Sequence, residues 1–377
     1  MKRRVVISGP LPPPPGGIAS VIRTIVESDL RARWEFAEFD LAARRIPDGL
    51  VWRLADAALS RAFGYQGAYG LESGVRIARY AALYRSHVDV AHIHVSHGYD
   101  VWMGVRQARV AHRRGAATVL HLHGLYDVEV PRLPRRLQRA FWRCLAVPDR
   151  LVVLSEGWRS WFAAGGVPDE RLTVLRNPVD VRRFGPRRET RDGVLRLLWV
   201  GASDPVRKGG DEILAAAPAI LAAVPNARFV CVGADVGRLE ETRVRGTPLA
   251  PHFAFEGSRN AEQMVPYFET ADVLLLPSHS EGLPIALLEA MAASLPVVAC
   301  PVNGVPEAMD DPANGRFVPP RDPEALARAV IELARDADAR RRIGAENRRR
   351  VEREFGQSQY AAALEDVYER ALRERTR

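Results

Sequence analysis

The stretch from Ala271 to Cys300, ADVLLLPSHSEGLPIALLEAMAASLPVVAC, constrains this chain more than any other. Its two apolar runs, Ala271 to Pro277 and Pro296 to Cys300, show no alternation, which fits strands of a parallel sheet covered on both faces. Between them the sequence predicts a turn and a short helix from about Pro284 to Ser294, apolar on nearly every side. Its one charge is Glu289, and a carboxylate in such a helix needs partners or an opening into a cleft. Glu281 stands eight residues earlier, in the turn leaving the first strand, and open parallel sheets bind ligands at that end of their strands. Pro284 is expected at the first helical position, where its missing amide hydrogen costs nothing. The first turn, around Gly282, Leu283, Pro284 and Ile285, then offers its free amides to an anion. Singly, each glutamate could be a helix-dipole partner or a solvated side chain. Together, on an otherwise apolar unit, they point to a ligand carrying both hydroxyls and phosphates.

With 377 residues the chain is too long for one ordinary core and suits two domains. No apolar run approaches the roughly 20 residues needed to span a bilayer. The opening MKRRVVISG has too few apolar residues for a signal-peptide core, so a cytoplasmic location is expected. Cys144, Cys231 and Cys300 are widely spaced in apolar surroundings, which fits core packing in a reducing compartment. The formal charge is +8, and all but two of the 54 basic residues are arginine, the exceptions being Lys2 and Lys208. That bias removes the need for a functional account of most arginines and makes Lys208 conspicuous.

Short apolar runs at Arg3 to Gly9, Phe36 to Phe39, Val90 to Val95, Thr118 to Leu122, Leu151 to Leu154 and Leu172 to Leu175 alternate with helical patterns. The alternation predicts a parallel α/β domain. Residues 44–69 read as an irregular, aromatic-rich insertion on the acceptor side. A second such domain follows, with strands at Leu195 to Val200, Arg228 to Val232, Phe253 to Phe255, the central unit, and Arg316 to Val318. Residues 1–185 and 186–356 are therefore expected as two Rossmann-like, doubly wound parallel-sheet domains facing a central cleft. Residues 185–193 supply a charged linker. Gly16 and Gly17, after the proline run Pro12 to Pro15, could bring backbone close to a phosphate or simply close a proline-rich turn. Lys208, with Arg207 beside it and two glycines after it, can neutralise a diphosphate as a compact charge.

Histidines gather at His92, His94, His97, His121 and His123. A spacing of two places such pairs on one strand face, but no carboxylate or cysteine stands at matching spacing, and no metal is expected. The segment Pro131 to Leu145 spaces Leu133, Leu137, Phe141 and Leu145 four apart beside Arg135, Arg136, Arg139 and Arg143. It reads as an ordinary helix with its stripe on the core, the rival being a helix lying on an anionic membrane. The arginine-rich stretch ARRRIGAENRRRVERE alternates with acids as a solvated face does, and no nucleic-acid partner is expected.

Glu281 and Glu289, seven residues between them, set in PSHSEGLPIALLEAMA and followed by LPVVA and NGVPE (Asn303 to Glu307), resemble the retaining glycosyltransferases of family 4, the group 1 type with the GT-B fold. VLRNPVD from Val174 to Asp180, HLHG ending in His123 and Gly124, and the Lys208 turn resemble further landmarks of that family. The chain departs from the pattern at Ala202, where the family carries an arginine, a charge that Arg207 would have to replace. The resemblance implies transfer of a sugar from a nucleotide diphosphate sugar to a hydroxyl acceptor, without a metal or other cofactor. It implies that Glu281 holds sugar hydroxyls, Glu289 the ribose, and His123 the sugar near the anomeric carbon. Lys208 and Arg207 would face the diphosphate with Gly16 and Gly17, and Gly257 and Ser258 would lie near the base. It also implies that the last helix, 357–377, packs back on the first domain. The basic charge suggests a lipid-linked saccharide acceptor at the inner face of the cell membrane, in cell-surface polysaccharide synthesis. A glycosidase also needs paired carboxylates but has no use for the phosphate-binding features. A non-catalytic sugar-nucleotide-binding protein on the same fold is the alternative that the departure at Ala202 supports.

Overall fold

The computed structural model describes residues 2–11, 16–40, 77–96, 98–124, 126–185, 192–201 and 204–375. The expected insertion over residues 44–69, most of the 185–193 linker, the proline run before Gly16, His97 and Ala202 lie outside the described residues.

Among the described residues, twelve strands form two six-stranded sheets in which every pairing is parallel. The first holds β1 (Arg3–Gly9), β2 (Trp34–Asp40), β3 (Val90–Val95), β4 (Ala117–Leu122), β5 (Arg150–Val153) and β6 (Leu172–Val174), in the order β2-β1-β3-β4-β5-β6. The second holds β7 (Leu195–Val200), β8 (Ala227–Val232), β9 (Phe253–Phe255), β10 (Val273–Leu276), β11 (Val297–Ala299) and β12 (Gly315–Phe317). Its order, β12-β11-β10-β7-β8-β9, reverses direction between β7 and β10. The first sheet reverses between β1 and β3. Such reversals open a crevice at the C-terminal ends of the two strands, and the residues that follow them are Gly16 and Gly17 after β1, Lys208 after β7 and Glu281 after β10.

The inner strands are largely apolar because both faces of each sheet are covered. In the first sheet, Val6, Ile93 and Leu120 face the Gly98–Arg113 helix side. Val5, Ile7, Val90, Val119 and Val152 face Ile22 and Ile25 of the Gly17–Glu27 helix and Leu364, Val367 and Tyr368 of the Gln357–Arg375 helix. That last helix thus follows the second sheet in the chain and packs on the first. In the second sheet, Leu197, Phe229, Leu275 and Val298 meet Ile213, Ala217 and Ile220 of the Gly210–Ala223 helix and Leu326 and Val330 of the Pro323–Arg335 helix.

Boundaries shift by a residue or two from the sequence reading. Pro284 is not the first helical residue. With φ −67° and ψ 127° it is extended and caps the Ile285–Ala292 helix, which ends at Ala292 rather than Ser294. The stripe of the Arg135–Cys144 helix is only half used: Phe141, Cys144 and Leu145 are buried, whereas Leu137 remains 36% exposed. The three cysteines are free and buried, and burial raises all three thiols, Cys144 to about 11.

Candidate functional site

Two loops build the second half's side of the cleft. Gly209 has φ +80°, and a Cβ there would stand 2.2 Å from the Pro277 carbonyl oxygen, so only glycine allows the post-β7 strap to lie on the post-β10 loop. The Trp199 indole donates to the Lys208 carbonyl at 3.0 Å, and the His279 amide to the Arg207 carbonyl at 2.9 Å. So pinned, the strap sends Lys208 Nζ to within 2.5 Å of Glu281 Oε1. Arg207 donates to the Ser280 carbonyl at 2.7 Å and stands 3.9 Å from Glu281 Oε2. The Glu281 side chain is 6% exposed. Two cations around one buried carboxylate can exchange it for a ligand's anionic oxygens while the carboxylate turns to the ligand's hydroxyls.

The backbone after Glu281 is held by its carbonyls. Asn303, in a left-handed conformation with φ +47°, donates to the Glu281 carbonyl. The Gly304 amide donates to the Gly282 carbonyl at 2.9 Å, and Asn177 to the Leu283 carbonyl at 2.7 Å. The amides of Gly282, Leu283 and Ile285 donate to no acceptor among the described residues. These amides lie at the start of the Ile285–Ala292 helix, where backbone donors and dipole favour an anion. Across the cleft, a Cβ on Gly17 would stand 3.7 Å from the Ile285 side chain, so the first turn of the Gly17–Glu27 helix meets that of the Ile285–Ala292 helix. Two positive helix ends in contact repel unless an anion lies between them. Gly16 has open space where its side chain would be.

Glu289 lies deeper on the same helix. Burial pushes its carboxyl up to about 7, opposed by Arg183, 3.6 Å away. Arg183 also donates to the Ala261 carbonyl, tying Glu289 to the segment after Gly257 and Ser258. Gly257 has φ +62°, and its carbonyl accepts from the Gly233 amide.

His123 enters from the first half. Its amide donates to the Val95 carbonyl at 2.9 Å, and its Nε2 is 2.9 Å from His94 Nδ1. Burial holds it down at about 3, so the ring is neutral at ordinary pH. A Cβ on Gly282 would come within 3.5 Å of the His123 carbonyl oxygen, which places the two halves' loops against each other. Five residues that the sequence reading did not assign complete this contact. Asp127, half buried and raised by desolvation, faces Asn303 of the opposite loop, whose influence opposes that rise. Asn177 reaches Leu283 as described. Glu307 accepts the Glu156 and Gly157 amides on one oxygen, at 2.7 and 3.3 Å, and pairs with Arg176 on the other at 2.8 Å. NGVPE and VLRNPVD contain Glu307, Asn303, Arg176 and Asn177, so those words carried the signal without the partnership.

The chain matches two family models, "Glycosyltransferase Family 4" over residues 15–183 and "Glycosyl transferases group 1" over residues 195–336. It is 29% identical over 398 residues to a GDP-mannose-dependent alpha-(1-6)-phosphatidylinositol monomannoside mannosyltransferase of Mycobacterium tuberculosis, covering 97% of this chain and 98% of that protein. It is 27% identical over 381 residues to the GDP-mannose-dependent mannosyltransferase of Corynebacterium glutamicum that acts on the monoacylated form, covering 94% of each. Among solved structures, Anabaena Alr3699/HepE in complex with UDP superposes with a TM-score of 0.72 at 16% identity, covering 97% of this chain and 99% of that one. The two facing parallel sheets are therefore the GT-B fold, and the chain belongs to the group 1 glycosyltransferases of family 4.

Proposed function

We propose that the protein transfers a hexose from a nucleotide diphosphate sugar to a hydroxyl acceptor with retention of anomeric configuration, the acceptor being a lipid-linked saccharide of cell-surface polysaccharide or glycolipid synthesis. The observation that carries this reading is the meeting of the Gly17 and Ile285 helix ends beside Lys208, Arg207 and Glu281. A diphosphate fits there: Lys208 and Arg207 neutralise it, and the amides of Gly17, Gly282, Leu283 and Ile285 stabilise the charge that builds as it leaves. Glu281, released from Lys208, accepts from sugar hydroxyls. Glu289 accepts from the ribose, with Gly257 and Ser258 beside the base. His123, neutral and fixed through His94, orients the sugar. The chemistry needs no metal because these groups supply the positive charge. Contact between the halves excludes water and so disfavours hydrolysis. The full-length relatives, named as GDP-mannose-dependent, make GDP-mannose the first donor to try.

The test is thermal stabilisation by UDP, GDP, ADP, CMP and their sugars, repeated with Lys208→Ala. A shift with one base, lost in the variant, is the expected result; ligand at 100 times Kd stabilises by about 2.7 kcal/mol. Binding without release of nucleotide diphosphate to any acceptor pool would leave the non-catalytic alternative standing, and no shift from folded protein would sink both.

A further inference from the structure

His92 and His94 share one face of β3, His121 lies on β4 with His123 just past its end, and the parallel register sets His94 opposite His121. Four imidazoles therefore share one sheet face in two columns, with neighbouring ring centroids 4.1 to 5.5 Å apart. His92, His94 and His121 are completely buried. On the flanking strand, a Cβ at Gly9 would press on His94 Cβ at 3.0 Å, so glycine makes room for the column.

The hydrogen bonds sort the nitrogens. His92 Nδ1 is 2.8 Å from the Tyr368 hydroxyl, His94 Nδ1 is 2.9 Å from His123 Nε2, and His121 Nδ1 is 3.3 Å from His92 Nε2. Placing the proton on Nδ1 of all three satisfies every one of these bonds. His92 Nε2 then accepts from His121 Nδ1–H, a 3.3 Å bond that an ion on His92 would replace, while Nε2 of His94 and of His121 have no partner although buried. Unpaired nitrogens in a dry core lose their hydration for nothing. One ring nitrogen from each of the three lies within 4.8 Å of the other two. A zinc ion binding at about 2.0–2.1 Å holds tetrahedral donors roughly 3.4 Å apart, which small ring rotations reach. Tying Nδ1–H of a ligating histidine to a further acceptor is also how proteins fix metal ligands, and Tyr368 and His123 stand in that place.

We propose that His92, His94 and His121 form a binding site for one divalent transition-metal ion, of the imidazole-preferring kind that includes zinc and cobalt rather than magnesium or calcium. The ion staples β3 to β4 under the last helix, and Tyr368 and His123 position its ligands. It touches no reacting atom and goes beyond the donor site proposed above.

The test uses the full chain expressed in zinc- or cobalt-supplemented medium, with metal content measured after gel filtration in a weak chelator. About one ion per chain is expected, with the intense visible bands of tetrahedral cobalt in the cobalt form. His94→Gln and His121→Gln should each lose it, and Tyr368→Phe should weaken retention about 10- to 100-fold. Should the glutamine variants fail to fold, the wild-type protein decides alone: no retained metal, or the weak spectrum of octahedral cobalt, overturns the site. So does stoichiometric metal that survives in folded His94→Gln, since it would be bound elsewhere.

Discussion

At the scale of single residues, the two glutamates of the central unit have different physics. Glu281 is buried against two cations, and its exchange for glutamine keeps the shape while removing the charge that Lys208 holds. Glu281→Gln is expected to lower kcat/KM by about 10²- to 10³-fold with the circular dichroism spectrum unchanged. Wild-type turnover in that variant would remove Glu281 from the reaction. Glu289 is buried with Arg183 as its charged neighbour, and burial pushes its carboxyl up from 4.5 to about 7. Below pH 4.5 it is protonated folded and unfolded, and contributes nothing. Between 4.5 and 7 the unfolded chain releases the proton and the folded one does not, so stability falls as pH rises, by on the order of 3 kcal/mol at most, and is level above 7. Glu289→Gln should therefore raise the midpoint of urea unfolding at pH 8 and leave it unchanged at pH 4, while weakening nucleoside binding. Equal effects at both pH values would show that desolvation is not the cause.

At the scale of elements, the strand, turn and helix around Glu281 were legible because an unbroken apolar run and a proline each have a narrow structural meaning. The mis-set start of that helix is informative: proline fixes φ but leaves ψ free, and at Pro284 ψ is extended. The histidine columns were not legible as a cluster. Spacing within β3 and within β4 puts side chains on one face, but only the register between strands brings His94 opposite His121. Likewise Leu137 has the spacing of a core residue, yet its helix turns that position outward. The Glu307 contact is of the same kind, because its partners at Glu156 and Gly157 are 151 and 150 residues away. It caps the Glu156–Ala164 helix of the first half from the second, and charge-assisted bonds of this sort are worth about 1.5–3 kcal/mol. Glu307→Ala should loosen the closed arrangement, giving a larger radius of gyration in solution scattering and a kcat/KM lower by roughly 10- to 100-fold. An unchanged radius and unchanged kinetics would make it a surface ion pair only.

At the scale of the whole molecule, two parallel α/β units could be read from the alternation of strand and helix, and the comparisons bear the fold out. How the halves meet could not, since it rests on pairs such as Asn177 with Leu283 and on Gly17 beside Ile285, chosen by docking rather than by local pattern. Surface charge also acts at this scale. No described helix is long and apolar enough to cross a membrane. Arg132, Arg135, Arg136, Arg139 and Arg143 are all exposed around Leu137 on the first half. Each such arginine near an anionic bilayer contributes about 1 kcal/mol. The protein is expected to sediment with phosphatidylserine-containing vesicles at low salt and to release from them as salt rises; equal partitioning onto neutral vesicles would count against a membrane-held acceptor.

The last helix, laid over Val5, Ile7, Val90 and Val119, has a consequence in time. Synthesis runs from the first residue, so the first sheet is complete at Val174 while its cover is still unmade. At roughly 5–20 residues per second, the intervening ~200 residues take on the order of 10–40 s to emerge. For that interval the part of this apolar face that the Gly17–Glu27 helix does not cover, His92 with its Tyr368 bond included, lacks its partner. The newborn chain must be sheltered there by its own unfinished second half or by a chaperone.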